Sequence, residues 1–352
     1  MRTLSATLAL LAFVAGVSPL HAQRAGERLF YAVDTEESWE SFRRNVSRID
    51  VVAPDAYKVD GQGVVWGEVD ARLLRLAREN RVRVMPLVDN QAFDQAMLHA
   101  LLASPEARGR LVATLVELCR RHGYWGMQLD FENVAMADRD LYTQLVRDAA
   151  AALHAGGFKL SLAVVHRPDE LAGATQYQKW LFENWRAGYD LEALGRAADF
   201  LSVMTYAQHT RRTPPGPQAG VDWMDEVMRY VLRHVPPEKV SLGIPTGAQH
   251  WYTSQEERIT PEMARSYSEQ VSHARAMGLI ERYGARLEWS DEAAVPFAHY
   301  ARAGTWEWIF MENARSFRAK LALVERHRLR GISVWVLGPE DQEIWTALES
   351  RR

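Results

Sequence analysis

Eight short runs rich in β-branched residues, most of them followed by a stretch with helical spacing, constrain this chain more than any other feature. The runs centre on Leu29-Phe30-Tyr31-Ala32-Val33, Ile49-Asp50-Val51-Val52, Val82 to Val88, Gly126 to Glu132, Lys159 to Val165, Phe200 to Tyr206, Val240 to Pro245 and Gly331 to Leu337. Asp70 to Asn80 carries Leu73, Leu74 and Ala77 at helical spacing; Gly109 to His122 is stopped by Gly123, and Asp138 to Ala155 by Gly156-Gly157. Strand–helix alternation implies a parallel sheet. Eight such units closing on themselves leave no sheet edge. The expectation is therefore an α/β chain folded as a (β/α)8 TIM barrel. An open doubly wound sheet is the competing arrangement, but no Gly-rich phosphate loop follows the first run.

One interval is too long for a single crossover. Between Pro245 and Gly331 lie Leu287-Glu288-Trp289 and Glu307-Trp308-Ile309-Phe310, which read as short strands. They predict a small α+β insertion between strands 7 and 8, spanning about 250–325, on the C-terminal side of the barrel where it walls a cleft. A second segment, Thr210 to Gly220, is rich in Pro, Gly and Thr and is expected on the rim.

Composition narrows the function classes. Hydrophobic residues make up 47% of the 352, which excludes a disordered chain. The net charge is -3 and no long basic run occurs, so nothing points to nucleic acid or to an anionic membrane surface. Arg2, the apolar stretch from Leu8 to Val17 and the Leu20-His21-Ala22 tail predict a signal peptide over 1–22, cut after Ala22. The stretch is short for a membrane span. Residues 23–352 would then be a periplasmic or secreted protein. Cys119 is the single cysteine and lies in the apolar helical stripe Leu111, Val112, Leu115, Leu118, so it reads as a buried small hydrophobe.

Chemistry concentrates at the fourth run. In barrels, reacting groups sit at the C-terminal ends of strands. Side chains alternate along a strand, so Gln128, Asp130 and Glu132 share one face, while Met127, Leu129 and Phe131 share the other. The apolar set fits the helix-packed outside, and the polar set then points into the barrel. Two carboxylates roughly 6–7 Å apart along a strand in a shielded pocket raise the pKa of at least one. A Glu held protonated near neutral pH donates to a leaving oxygen.

The residues around this pair resemble a known family. Gly126-Met127-Gln128-Leu129-Asp130-Phe131-Glu132 is similar to the strand-four signature of glycoside hydrolase family 18, the chitinase-like barrels. Within it, the chain resembles most the spore-cortex peptidoglycan glucosaminidase branch, where an amide also stands at the position of Gln128. Further matches follow in order: Ala53-Pro54 with Tyr57-Lys58-Val59-Asp60-Gly61, Val84 to Asn90, Met204-Thr205-Tyr206, Leu242-Gly243-Ile244-Pro245, and Gly331 to Gly338 with Glu340-Asp341 and Trp345. The resemblance covers roughly residues 28–348.

It implies a substrate-assisted retaining mechanism, an exception to the two-carboxylate scheme. Glu132 would protonate the glycosidic oxygen, and the substrate's own 2-acetamido carbonyl would attack the anomeric carbon. Asp130 would orient the acetamido group and stabilise the oxazolinium-like intermediate, and Tyr206 would hydrogen-bond it. Trp335 would floor the sugar site, with Gln128, Met204 and Gln208 as further substrate-binding positions. No cofactor is implied; the partner is an N-acetylglucosamine polymer. Two departures stand out. Trp125 and Gln128 replace acids of the usual signature, and Ala207 follows Tyr206 where the family usually has Asp. Gln208 and His209 are the candidates to compensate, with nothing in the sequence showing that either does.

Other chemistries are weaker. His166, His209 and His250 all follow strands but show no tight metal-ligand spacing. No Gly-x-Ser-x-Gly elbow occurs. Trp251, Tyr252, Trp306 and Trp308 are candidate sugar-stacking residues. Two functional classes remain: a hydrolase of β-linked N-acetylglucosamine polymers, peptidoglycan before chitin, and a lectin-like barrel of weak or no turnover, for which Ala207 is the motive.

Overall fold

The computed structural model describes residues 26–210, 213–252, 267–302 and 304–349. The expected signal peptide lies outside them. Eight parallel strands close into a barrel: Glu27–Ala32, Val51–Val59, the split strand Arg83–Val84 with Leu87–Asn90, Gly126–Asp130, Lys159–Val165, Phe200–Met204, Val240–Pro245 and Gly331–Trp335. The first pairs with both the second and the eighth, which closes the ring. The break in the third strand falls at Met85-Pro86. Pro86 has no N–H to donate, and its carbonyl still accepts from the Gln128 N–H at 2.9 Å.

The helices form where local signals place them. Asp70 caps Ala71–Glu79 by accepting from the Arg72 N–H. Helix Pro105–His122 starts earlier than the periodicity suggested, because Ser104 caps it and Pro105 occupies the first turn. Gly123 ends it in the left-handed region at φ 71°. Helix Arg139–Ala155 follows a 3-10 turn over Met136–Asp138.

The alternation along the fourth strand holds in three dimensions. Met127, Leu129 and Phe131 join the large core between strands and helices, together with Leu115, Cys119, Leu145 and Val146. Gln128 points into the barrel. The barrel interior has two halves. Leu29, Tyr31, Val51, Ala53, Met85, Leu87 and Phe200 form an apolar cluster. Opposite them, Gln128 donates to Ser161 Oγ at 2.7 Å and to Ser202 Oγ at 3.1 Å. Ser333 Oγ then bridges Ser202 at 2.8 Å and Ser241 at 2.7 Å. Small hydroxyls on strands five to eight thus satisfy one another where water is excluded. Trp125 stacks on Phe200 with ring centroids 6.3 Å apart, under the Arg83 guanidinium at 4.3 Å, at the opposite end from the acids.

The insertion after the seventh strand is an antiparallel five-stranded sheet: Ala248–Tyr252, Tyr267–Val271, Glu288–Ser290, Val295–Arg302 and Thr305–Met311, with helix His273–Arg282. It ends sooner than the expected boundary near 325. Residues Ala314–His327 instead form a barrel helix, and its Phe317, Leu321 and Leu323 belong to the barrel core. Asn313 caps that helix through the Arg315 and Ser316 N–H groups, which fixes the boundary. Trp251 is buried and Trp306 exposed.

Candidate active site

Strand register assembles the acids. Lys58, Asp89 and Asp130 are direct neighbours on the second, third and fourth strands. Lys58 Nζ lies 2.5 Å from Asp89 Oδ2, and Asp89 is buried while Lys58 is half exposed. Asp130 is buried, and its Oδ1 has no protein partner. Burial, then Glu132, Asp55 and Asp89, push its carboxyl well above the usual range; Lys58 acts the other way.

The strand ends at Asp130, and Glu132 follows in the turn above it. Asn133 at φ 56° bends the chain there. Burial, then the charge on Asp89, push the Glu132 carboxyl up to about 7. Its backbone is fixed by Asn90, a fully buried amide. The Glu132 N–H donates to Asn90 Oδ1 at 2.9 Å, and Asn90 Nδ2 donates to the Glu132 carbonyl at 3.0 Å. Burial and neighbouring carboxylates thus push both carboxyl groups above their ordinary range.

Tyr206 faces the same pair. Burial, Tyr31, Asp130 and Glu132 all push its phenol well above the ordinary range, so it stays a neutral donor. Thr205 anchors this end of the sixth strand by donating to the Gly243 carbonyl at 2.6 Å. Trp335 ends the eighth strand, followed by a cis peptide to Val336, and its ring centroid is 5.3 Å from that of Tyr31. Tyr206, Ala207 and Trp335 line a cavity of about 620 Å³, walled by Gln249, Ser268 and Gln270 of the insertion. Residues of the insertion therefore form one side of this cavity.

Of the residues singled out from sequence, Asp130, Glu132 and Tyr206 come together, and Trp335 joins Tyr206 on the cavity. Gln128 lies deeper, inside the hydroxyl network. Met204 is buried and offers its carbonyl to His166 Nδ1 at 3.0 Å. Gln208 does something else: its Oε1 accepts from the Gly220 N–H at 2.7 Å and holds the rim loop. His209 lines the cavity with Nδ1 3.1 Å from the Pro214 carbonyl. Ala207 sits at φ 61° on the cavity wall. His250 belongs to the insertion and bonds Glu307 at 2.8 Å. The three histidines thus occupy separate settings. Sequence reading gave no role to Asn90, Lys58, Asp89 or Asp55; the one available signal was that Asp89-Asn90 ends a barrel strand.

The model of the glycosyl hydrolases family 18 matches residues 51–340. The cortical fragment-lytic enzyme of Bacillus subtilis (strain 168) is 29% identical over 265 residues, which are 75% of this chain and 58% of that protein. The chain spans about three fifths of the length of such relatives. A chitinase from Chromobacterium violaceum superposes with a TM-score of 0.81 at 29% identity, over 93% of this chain and 99% of that one. The spore cortex-lytic enzyme SleL of Bacillus megaterium shares the fold, with a TM-score of 0.81 at 22% identity over 93% and 74%. With a family match that runs from the second barrel strand past the eighth and carries the Asp130–Glu132 pair inside it, this chain belongs to glycosyl hydrolase family 18.

Proposed function

We propose that the protein is a retaining glycoside hydrolase of β-linked N-acetylglucosamine-containing polymers, with Glu132 as general acid and base. One observation carries this reading: a carboxyl raised to about 7 sits at the C-terminal mouth of a barrel, directly after a buried Asp130. A carboxylic acid with that pKa keeps its proton near neutrality and gives it to the departing glycosidic oxygen. Loss of that proton leaves a charge on Glu132 that makes Asp130 harder to ionise. Asp130 then orients the substrate's acetamido group, whose carbonyl oxygen attacks the anomeric carbon. Tyr206, held neutral, donates to that acetamido group. Trp335 supplies the apolar floor. Water opens the cyclic intermediate, with Glu132 now as base. The relatives' names include cortex-lytic enzymes and chitinases alike, and peptidoglycan is taken ahead of chitin as the substrate to test first. We also propose export of the mature protein after removal of residues 1–22.

The test is to incubate the protein with purified peptidoglycan and with chitin oligomers, beside Glu132→Gln, and to read soluble products by mass spectrometry. New N-acetylglucosamine reducing ends from the wild type alone, blocked by a thiazoline analogue of the intermediate, are expected. Glycan binding without product from either polymer would replace the hydrolase by a sugar-binding barrel. A processed N-terminus at Gln23 in exported protein is the corresponding check on the leader.

A further inference from the structure

The long segment between the fifth strand and the next barrel helix, Leu191–Ala197, lies on the same face of the barrel as the acids. Its tail is pressed against the turn that carries Glu132. The Tyr189 hydroxyl donates to the Phe131 carbonyl at 2.7 Å. Gln95 Nε2 joins the Asn133 carbonyl at 3.1 Å to the Asn184 carbonyl at 3.5 Å. A Cβ on Gly188 would stand 2.4 Å from the Val134 carbonyl, so only glycine permits this approach. Arg186, two residues before Gly188, lies in the segment that packs on that turn.

Arg186 is a mostly buried cation with no ion-pair partner among the described residues. Its one described hydrogen bond runs from Nη2 to His166 Nε2 at 3.2 Å. His166 Nδ1 faces the Met204 carbonyl, which only accepts, so Nδ1 carries the proton and Nε2 presents its lone pair. Burial and Arg186 itself pull the His166 pKa down to about 3, so the imidazole fixes the guanidinium without neutralising it. Arg186 Nε is buried and makes no hydrogen bond. Among the described residues no carboxylate lies in ion-pair range of Arg186, and its leading ionisable neighbours are Tyr177 and Asp169. The adjoining Arg167, by contrast, pairs with Glu170 and donates to the Tyr230 hydroxyl. An uncompensated buried charge is costly. A guanidinium offers five donors in a planar fork suited to carboxylates, and here one is used.

Beside it the same segment exposes an aromatic pair. Tyr177 and Trp180 stack with centroids 6.0 Å apart and planes at 21°, each about two-fifths exposed. Flat, solvent-facing rings suit the C–H faces of a sugar.

We propose that Arg186, with the Tyr177–Trp180 platform, forms a subsite for a carboxylate-bearing sugar next to the cleavage site, and so sets a preference for acidic over neutral N-acetylglucosamine polymers. This rests on the proposed glycoside hydrolase reading and deepens it. The carboxylate has two possible sources with one chemistry: the lactyl ether of a muramic sugar, or a peptide attached to it.

The experiment measures binding by calorimetry to Glu132→Gln protein, with and without Arg186→Gln. The probes are a muramic acid-containing tetrasaccharide with free lactyl carboxylates, its methylamide, its peptide-bearing form, and the neutral chitin tetramer. Free carboxylate is expected to bind about 10-fold or more tightly than methylamide. Arg186→Gln is expected to bring that ratio close to one. A gain restricted to the peptide-bearing form assigns the carboxylate to the peptide. Equal affinity of the free carboxylate, the methylamide and the peptide-bearing form for the Arg186 protein overturns the proposal without recourse to a variant. So does an equal loss on all four glycans in Arg186→Gln, the mark of a structural role. A carboxylate preference in a protein that never cleaves glycan would leave the subsite standing and remove the hydrolase reading alone.

Discussion

The side-chain amide of Asn90 grips the backbone of Glu132 from both sides, accepting from its N–H at 2.9 Å and donating to its carbonyl at 3.0 Å. The two residues are 42 positions apart and sit at the ends of adjacent strands. Replacing Asn90 by Ala leaves a buried N–H and a buried C=O unpaired. We expect a loss of about 2–3 kcal/mol of stability and a fall in kcat of about 10-fold or more, from displacement of the acid. Denaturant melts and steady-state kinetics on one glycan read both. An unchanged kcat would show that the clamp serves folding only.

Asp89 is the charge that acts most on Glu132 after burial. Asp89→Asn removes that repulsion, and it frees Lys58 to face the remaining acids. Both effects favour the ionised acid, so the Glu132 pKa falls below about 7. The alkaline limb of kcat/KM, where the acid loses its proton, is expected to move to lower pH by about half to one unit. A limb that stays put would mean that another group governs it.

A carboxyl whose folded pKa is raised favours the protonated form, so its contribution to stability is greatest below the unfolded pKa near 4.5 and is lost as pH rises through about 7. Glu132→Gln removes this penalty. The variant is expected to exceed the wild type by roughly 1–3 kcal/mol at pH 8, with the difference shrinking toward pH 4. Melting curves across that range decide it. A variant equally stable or less stable at pH 8 would contradict the raised pKa.

Ala207 occupies the left-handed region at φ 61°, where its Cβ meets the neighbouring carbonyl. Ala207→Gly is expected to stabilise the fold by about 0.5–1 kcal/mol. A loss of stability in urea would show that the Cβ packs usefully in the cavity wall.

The barrel was legible in the sequence because its signals are local. Period-two alternation in Met127 to Glu132 reports which face is polar, and a capping Asp70 or a stopping Gly123 acts within its own turn. The placement of Asp130 and Glu132 on the inward face followed from the same periodicity. Gln208 was not legible in this way: its neighbours in sequence suggested a sugar-facing role, whereas the fold spends its amide on the Gly220 backbone. The end of the insertion escaped as well, since the apolar stripe of Ala314–His327 reads the same whether it packs on a barrel or on a small sheet. Strand register alone brings Lys58, Asp89 and Asp130 abreast, and loop packing alone leaves Arg186 without an ion-paired carboxylate among the described residues. Sequence by itself determined the faces and the ends of the elements, because those depend on neighbours along the chain. Tertiary structure decided which charges meet and how far each carboxyl is driven from its ordinary pKa, because Coulomb interaction and desolvation depend on distance and burial in space, and residues 40 or more apart, such as Asp89 and Glu132, contribute to both.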